Sequence, residues 1–294
     1  MRIVNLISMS KRKVSVIITV RNGEKYIKEA IGSVLVQSFQ DFELIIVDDG
    51  STDNTLQQVA SFPDSRIRII RRSHDYIGSL NAGLQQSQGE YIAILDHDDL
   101  MMPKRLETQV KAMDTFKQLT VCGGKVSMFK DGHLSHARLM PLPYPGLIKH
   151  PLWFMLKGNF INNPTVMIRS TFLKDKGIRY DPGYPFAPDF KLWLDIARQG
   201  GTFFLLDTPL TYYRISPSQM SHALRDRQRE NAFAIRQQAL EDLLKTTDWG
   251  NKSIDMHRWN DELQRMKSTR LLTDEDMLHV YYMVFKNFYL SSSC

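Results

Sequence analysis

Three times in the first hundred residues a short apolar run ends directly in polar or acidic side chains. Val14–Val20 precedes Arg21-Asn22-Gly23, Phe42–Val47 precedes Asp48-Asp49-Gly50, and Tyr91–Leu95 precedes Asp96-His97-Asp98-Asp99. Continuous β-branched runs of this length suit parallel strands buried on both faces. Helix-like patterns lie between them, the clearest being Ile27, Ala30, Ile31, Val34 and Leu35, spaced to bury one face. Ser51 or Thr52 is positioned to cap a short helix through Leu56 and Val59. Arg66–Ile70 reads as a third strand and Ser79–Gln86 as a third helix. Alternation of this kind implies right-handed crossovers and an α/β fold, a mainly parallel sheet flanked by helices.

The rhythm then loosens. Pro103 opens a helix through Leu106, Val110 and Met113, and Val121–Phe129 reads as a strand. Lys130–Pro151 contains Pro141, Pro143, Pro145 and Pro151 and is expected to be a long loop. Thr165–Arg169 resumes a strand, a helix starts near Asp189, and Phe203–Leu206 and Leu210–Arg214 are late strands. From about Ser221 the chain is charged and helix-prone, so the expected division is a sheet domain over residues 1–220 and a helical extension over 221–294. Within the extension Met277, Val280, Tyr281, Val284, Phe285 and Phe288 recur at helical spacing, to pack on the sheet domain, to dock on a membrane or to join copies of the chain.

Composition narrows the classes. A formal charge of +6 favours anionic ligands or a solvated basic surface. No zinc-ligand spacing, aromatic RNA-binding signature or basic region with heptads points to nucleic acid. Cys122 and Cys294 give neither a disulfide framework nor a cysteine metal site, which suits a reducing compartment. The apolar stretch Ile3–Ile7 precedes Lys11-Arg12-Lys13, the reverse of a secretion signal, so a cytoplasmic location is expected. The longest apolar runs fall far short of the roughly 20 residues of a membrane span.

Open parallel sheets bind ligands outside the carboxyl ends of their strands, which selects Thr19–Asn22, Asp48–Asp53 and Asp96–Asp99. Three carboxylates within Asp96–Asp99 repel one another unless a cation or donors compensate. Oxygen ligands suit Mg²⁺ or Mn²⁺; the competing reading is a capping cluster for the next helix. Asp49 is suited to accept from a nucleobase imide or ribose hydroxyls, whereas Ser51, Thr52 and Asp53 serve equally well as turn and cap residues. Neither G-x-G-x-x-G after the first strand nor G-x-x-x-x-G-K-[ST] occurs, against a dehydrogenase or P-loop enzyme.

These stretches, together with Gly89-Glu90 before the fourth strand and Pro188-Asp189-Phe190-Lys191-Leu192-Trp193-Leu194, resemble glycosyltransferase family 2, inverting enzymes of the GT-A fold. The resemblance covers roughly Val14 to Arg214. It implies that Thr19, Arg21, Asn22 and Asp49 line the nucleotide site and that Asp96 and Asp98 form a D-x-D meeting metal and diphosphate. It also implies that Asp189 is the base for the acceptor hydroxyl, although Asp189 also suits a helix cap. The expected activity moves a hexose or N-acetylhexosamine from a UDP-sugar, with Mn²⁺ or Mg²⁺, to a saccharide or glycolipid acceptor. Polysaccharide, lipooligosaccharide or glycan assembly would be the setting, with peripheral contact to the inner membrane face. Three positions depart from the family pattern: Pro188 where Glu is common, Leu80 where Arg often precedes Asn81, and Ser216 where His often follows. His222, six residues on, is the substitute metal or phosphate ligand, and Arg71, Arg72 or His74 the substitute phosphate contact. The rival readings are a catalytically silent nucleotide-sugar-binding module and a nucleotidyltransferase.

Overall fold

The computed structural model describes residues 12–142, 144–216, 224–246, 261, 263–265, 267–269 and 273–290. His222 and Cys294 lie outside them.

The three apolar runs become β1 (Val14–Val20), β2 (Phe42–Asp48) and β4 (Tyr91–Ile94), fully or almost fully buried. They pair in parallel with β3 (Ile67–Arg71), in the order β3-β2-β1-β4. The sheet continues through β9 (Met167–Arg169), which leads into helix α6 (Ser170–Lys176), then β6 (Val121–Lys130) and β10 (Phe203–Ile215), to β5 (Leu100–Met101). β9 runs antiparallel to both β4 and β6, so β6 and β10 again point the way β1 and β4 do. All the long strands therefore end at one edge. Helices α1 (Ile27–Leu35), α2 (Thr55–Ala60), α3 (Tyr76–Gln86) and α4 (Arg105–Thr115) cover the faces.

Several sequence expectations shift. Asp53, not Ser51 or Thr52, serves the start of α2: its Oδ1 accepts from the Thr55 amide at 3.0 Å and from the Thr55 hydroxyl. Ser51 and Thr52 turn back to Asn22, because the β1 and β2 loops lie side by side. The two late strands are one, β10, with register shifts around Pro209, which has no amide for the ladder. The supposed loop Lys130–Pro151 holds a 3₁₀ turn (Leu134–His136) and two short strands, β7 (Arg138–Leu139) on β6 and β8 (Gly146–Ile148) on β10. Such strands have too few residues to show periodicity.

α5 (Pro151–Lys157) and α7 (Pro188–Arg198) pack with the Arg225–Thr246 and Asp274–Leu290 helices in one apolar cluster. Met277, Leu278, Tyr281 and Tyr282 are buried there, with the Tyr282 ring stacked on Trp153. Of the residues weighed for membrane docking, Met277 and Tyr281 thus pack inward and Val280 lies partly buried against the same cluster. The side chains of Val284, Phe285 and Phe288 are outside the described residues.

Candidate functional site

The crevice forms where β1, β2 and β4 end. Leaving β1, the chain turns at Asn22, which adopts φ 51°. Its amide donates to Ser51 Oγ (3.0 Å), and its Oδ1 accepts from the Thr52 amide (2.8 Å), tying the first loop to the second. Gly23 follows because nothing larger fits: a Cβ there would come within 2.5 Å of Val20 Cγ2 and 2.7 Å of His97 Cδ2. The third loop is thereby packed on the first. Burial lowers the His97 pKa, against the pull of Asp98 and Asp53.

Asp49 is buried, and its Oδ1 accepts from the Asp75 amide (2.7 Å) and the Ser79 hydroxyl (2.8 Å). These bonds, with the Asp75 side chain capping Gly78, fix the first turn of α3. They place Tyr76 over the crevice, 38% exposed among carboxylates. Burial, and then Asp96, Asp189, Asp49 and Asp98, hold its phenol pKa above the ordinary value. One aromatic ring thus senses all four acids singled out from sequence, which arrive from the ends of two strands, β2 and β4, and from helix α7. Arg21 Nη1 lies 2.9 Å from His74 Nε2, whose Nδ1 is 3.9 Å from Asp49. Thr19 Oγ1 is buried without a hydrogen-bond partner among the described residues. Leu80 belongs to the apolar core, so the position where the family often carries Arg is spent on packing.

The acidic turn after β4 is held from below. Arg214 donates from its amide to Asp99 Oδ1 (2.7 Å) and from Nε to the Asp98 carbonyl (2.7 Å); its Nη atoms meet Asp131 (2.6 Å) and Glu29 (2.8 Å). Arg105, equally buried, donates to the carbonyls of Ile94, Pro164 and Val166 and to Thr211 Oγ1. Sequence reasoning passed over both arginines. Arg105 and Gln109 do share the α4 face of Leu106, Val110 and Met113, the one signal that could have revealed them.

Asp189 sits in the first turn of α7, after Pro188 at a position where a missing amide costs nothing. Asn159 Nδ2 donates to its Oδ2 (2.8 Å). Burial raises the Asp189 pKa, and the Phe190 amide and Asn159 only partly counter it. Nothing local in the sequence pairs Asn159 with a residue 30 positions away.

Asp96 is pushed up to about 7, first by burial, then by Asp98 and Asp189. Asp99 is also raised, by burial and then by Asp96 and Asp98, and its Oδ2 has no hydrogen-bond partner among the described residues. Among the described residues no three or more His, Cys, Asp or Glu converge as a metal-ligand group. Asp96 and Asp98 still fit a hard divalent cation of the type held by one or two carboxylates plus substrate phosphates. A carboxyl driven to about 7 by burial and then by like-charged neighbours is the imbalance such a cation relieves. His222 lies outside the described residues. The folded metal-free chain holds the Asp96 proton more tightly than the unfolded chain does. That stabilisation is complete below about pH 4 and lost as pH rises through about 7. In chelator, the melting temperature is expected to fall between pH 5 and 8, and Asp98→Asn to flatten the fall; a flat wild-type profile would contradict this.

The sequence profile of Glycosyl transferase family 2 matches residues 15–175. An uncharacterized glycosyltransferase of Haemophilus influenzae is 31% identical over 243 residues, covering 76% of this chain and 72% of the relative. The succinoglycan biosynthesis protein ExoO of Rhizobium meliloti is 30% identical over 223 residues, covering 72% of this chain and 63% of ExoO. Among solved structures, S. aureus TarS 1–349 in complex with UDP-GlcNAc superposes with TM-score 0.62 at 21% identity, over 84% of this chain and 69% of TarS. That likeness is one of fold.

Proposed function

We propose a specific reaction for this chain, which belongs to glycosyltransferase family 2 and is a sugar transferase: it moves a hexose or N-acetylhexosamine from a UDP-sugar to a saccharide or glycolipid acceptor, with inversion at the anomeric carbon. The observation that carries it is the convergence of Asp49, Asp96, Asp98 and Asp189 around Tyr76. The names of two similar proteins agree with it, one concerned with succinoglycan biosynthesis and one bound to UDP-GlcNAc.

Thr19, Arg21, Asn22 and Asp49 would hold the uridine. Thr19 Oγ1 has an unmet hydrogen bond to offer, and Arg21 and His74 carry donors to the same side. Asp96 and Asp98 would bind Mn²⁺ or Mg²⁺ with the donor diphosphate, and when bound the metal stabilises the charge of the departing UDP. Asp189 takes the acceptor hydroxyl's proton as that oxygen bonds to the anomeric carbon and the bond from that carbon to the diphosphate oxygen breaks. A carboxylate with a raised pKa is the stronger base, and the bond from Asn159 to Oδ2 helps to orient it. The setting would be assembly of a polysaccharide, lipooligosaccharide or glycan.

Thermal unfolding with nucleotides and nucleotide sugars, with and without Mn²⁺, tests the donor site. At about 100 times its dissociation constant a ligand adds roughly 2.7 kcal/mol, which here means a shift of several degrees. We expect a metal-dependent shift with UDP compounds that is lost in Asp98→Ala. No shift with any nucleotide would remove the donor assignment.

A further inference from the structure

Leu134, Leu139 and Met140 are 42%, 53% and 39% exposed, on a stretch of chain that no other element covers among the described residues. Leu134 lies in the 3₁₀ turn just beyond the end of β6, the edge of the sheet where the crevice opens. Leu139 lies on β7, which pairs with β6 through Ser127 and Met128 and has no second neighbour among the described residues. Lys130, His133, His136 and Arg138 are exposed around them.

Charge in this edge is unbalanced. Asp131 is the sole acid between Lys130 and Pro151, and it is already engaged by Arg214, by Lys25 (2.6 Å) and by the Tyr26 hydroxyl (3.0 Å). The engagement also anchors the edge to the crevice, since the same Arg214 holds the Asp98 carbonyl. Apolar tips beside the exposed cations Lys130 and Arg138 are complementary to an anionic lipid surface, where tips enter the headgroup layer and cations meet phosphates. A second copy of the chain would bring like charges together, and a two-residue strand offers little for strand addition.

We propose that the 3₁₀ turn and β7, residues 134–140, dock this protein on anionic phospholipid and so hold the crevice over acceptors carried by lipid. The choice of acceptor rests on the reaction proposed above; the docking does not.

The test is flotation of the full chain with phosphatidylcholine vesicles and with vesicles containing one quarter phosphatidylglycerol, at low and high salt. The wild type is expected to float with the anionic vesicles only and to be released by salt. Arg138→Glu should weaken binding about 25-fold, a change of two charges at roughly fivefold each. Leu139→Ser with Met140→Ser should abolish flotation at an unchanged melting temperature. Both variants should keep wild-type turnover of a water-soluble saccharide acceptor, which separates failure of docking from failure of the transferase reading. Equal recovery on both vesicle types, recovery unchanged in both variants, or a vesicle-free dimer that the same substitutions dissociate would overturn the proposal.

Discussion

Asp189→Asn is expected to lower kcat by about 10²- to 10⁴-fold while UDP-sugar affinity stays within about threefold. The amide is nearly isosteric and keeps the position at the first turn of α7, so folding and the crevice walls should survive. What disappears is the carboxylate whose pKa burial raises and which Asn159 orients. In the wild type, kcat/KM should fall on acidification with a midpoint above the ordinary carboxylate range, because the base must be ionised before the acceptor binds. That acidic limb should vanish from the residual activity of the variant. Steady-state kinetics over pH, with donor affinity measured separately, checks both points. An equal loss in donor affinity and turnover would make Asp189 a donor ligand instead of the base.

Arg105→Ala should destabilise the fold by about 3–5 kcal/mol, a melting-temperature drop on the order of 10 °C. The guanidinium is 1% exposed and donates to three backbone carbonyls, to Thr211 and to Gln109. Its removal takes a donor from each of those acceptors in a site too enclosed for bulk water, although the Pro164 and Val166 carbonyls keep the Thr211 hydroxyl and the Ile94 amide. Burial lowers its pKa to about 9, and Asp96 is the largest influence opposing that. Loss of the cation should therefore push the Asp96 pKa higher still and weaken divalent-ion binding beyond what the stability loss explains. Denaturant melts, with Mn²⁺ titration well below the variant's melting temperature, separate the two effects. A variant as stable as wild type would mean that the cluster rearranges around the gap.

How much was legible beforehand follows from the physics of each region. Val14–Val20, Phe42–Val47 and Tyr91–Leu95 announced central strands because burial on both faces leaves few polar interruptions, and the acids after them marked the open edge. Asp49, Asp96 and Asp98 were singled out in that way and Asp189 only through the family resemblance, and all four lie close enough to act on Tyr76. Tyr76 itself was invisible: its position depends on Asp49 bonding to Asp75 and Ser79, a contact across 26 and 30 residues. Arg105 and Arg214 were missed because a buried arginine depends on carbonyls and carboxylates gathered from distant elements, which leave no local pattern. β7 and β8 failed for another reason, since strands of two and three residues exist only through the neighbours they pair with.

The most direct test of the account is product analysis. Purified protein, a panel of UDP-sugars, Mn²⁺ and candidate saccharide acceptors should give UDP and glycoside in equal amounts. Proton NMR of the new linkage should show the anomeric configuration opposite to that of the donor. Retained configuration would contradict a single displacement assisted by Asp189, and failure to release UDP from any donor would contradict the UDP-sugar transfer proposed for this crevice.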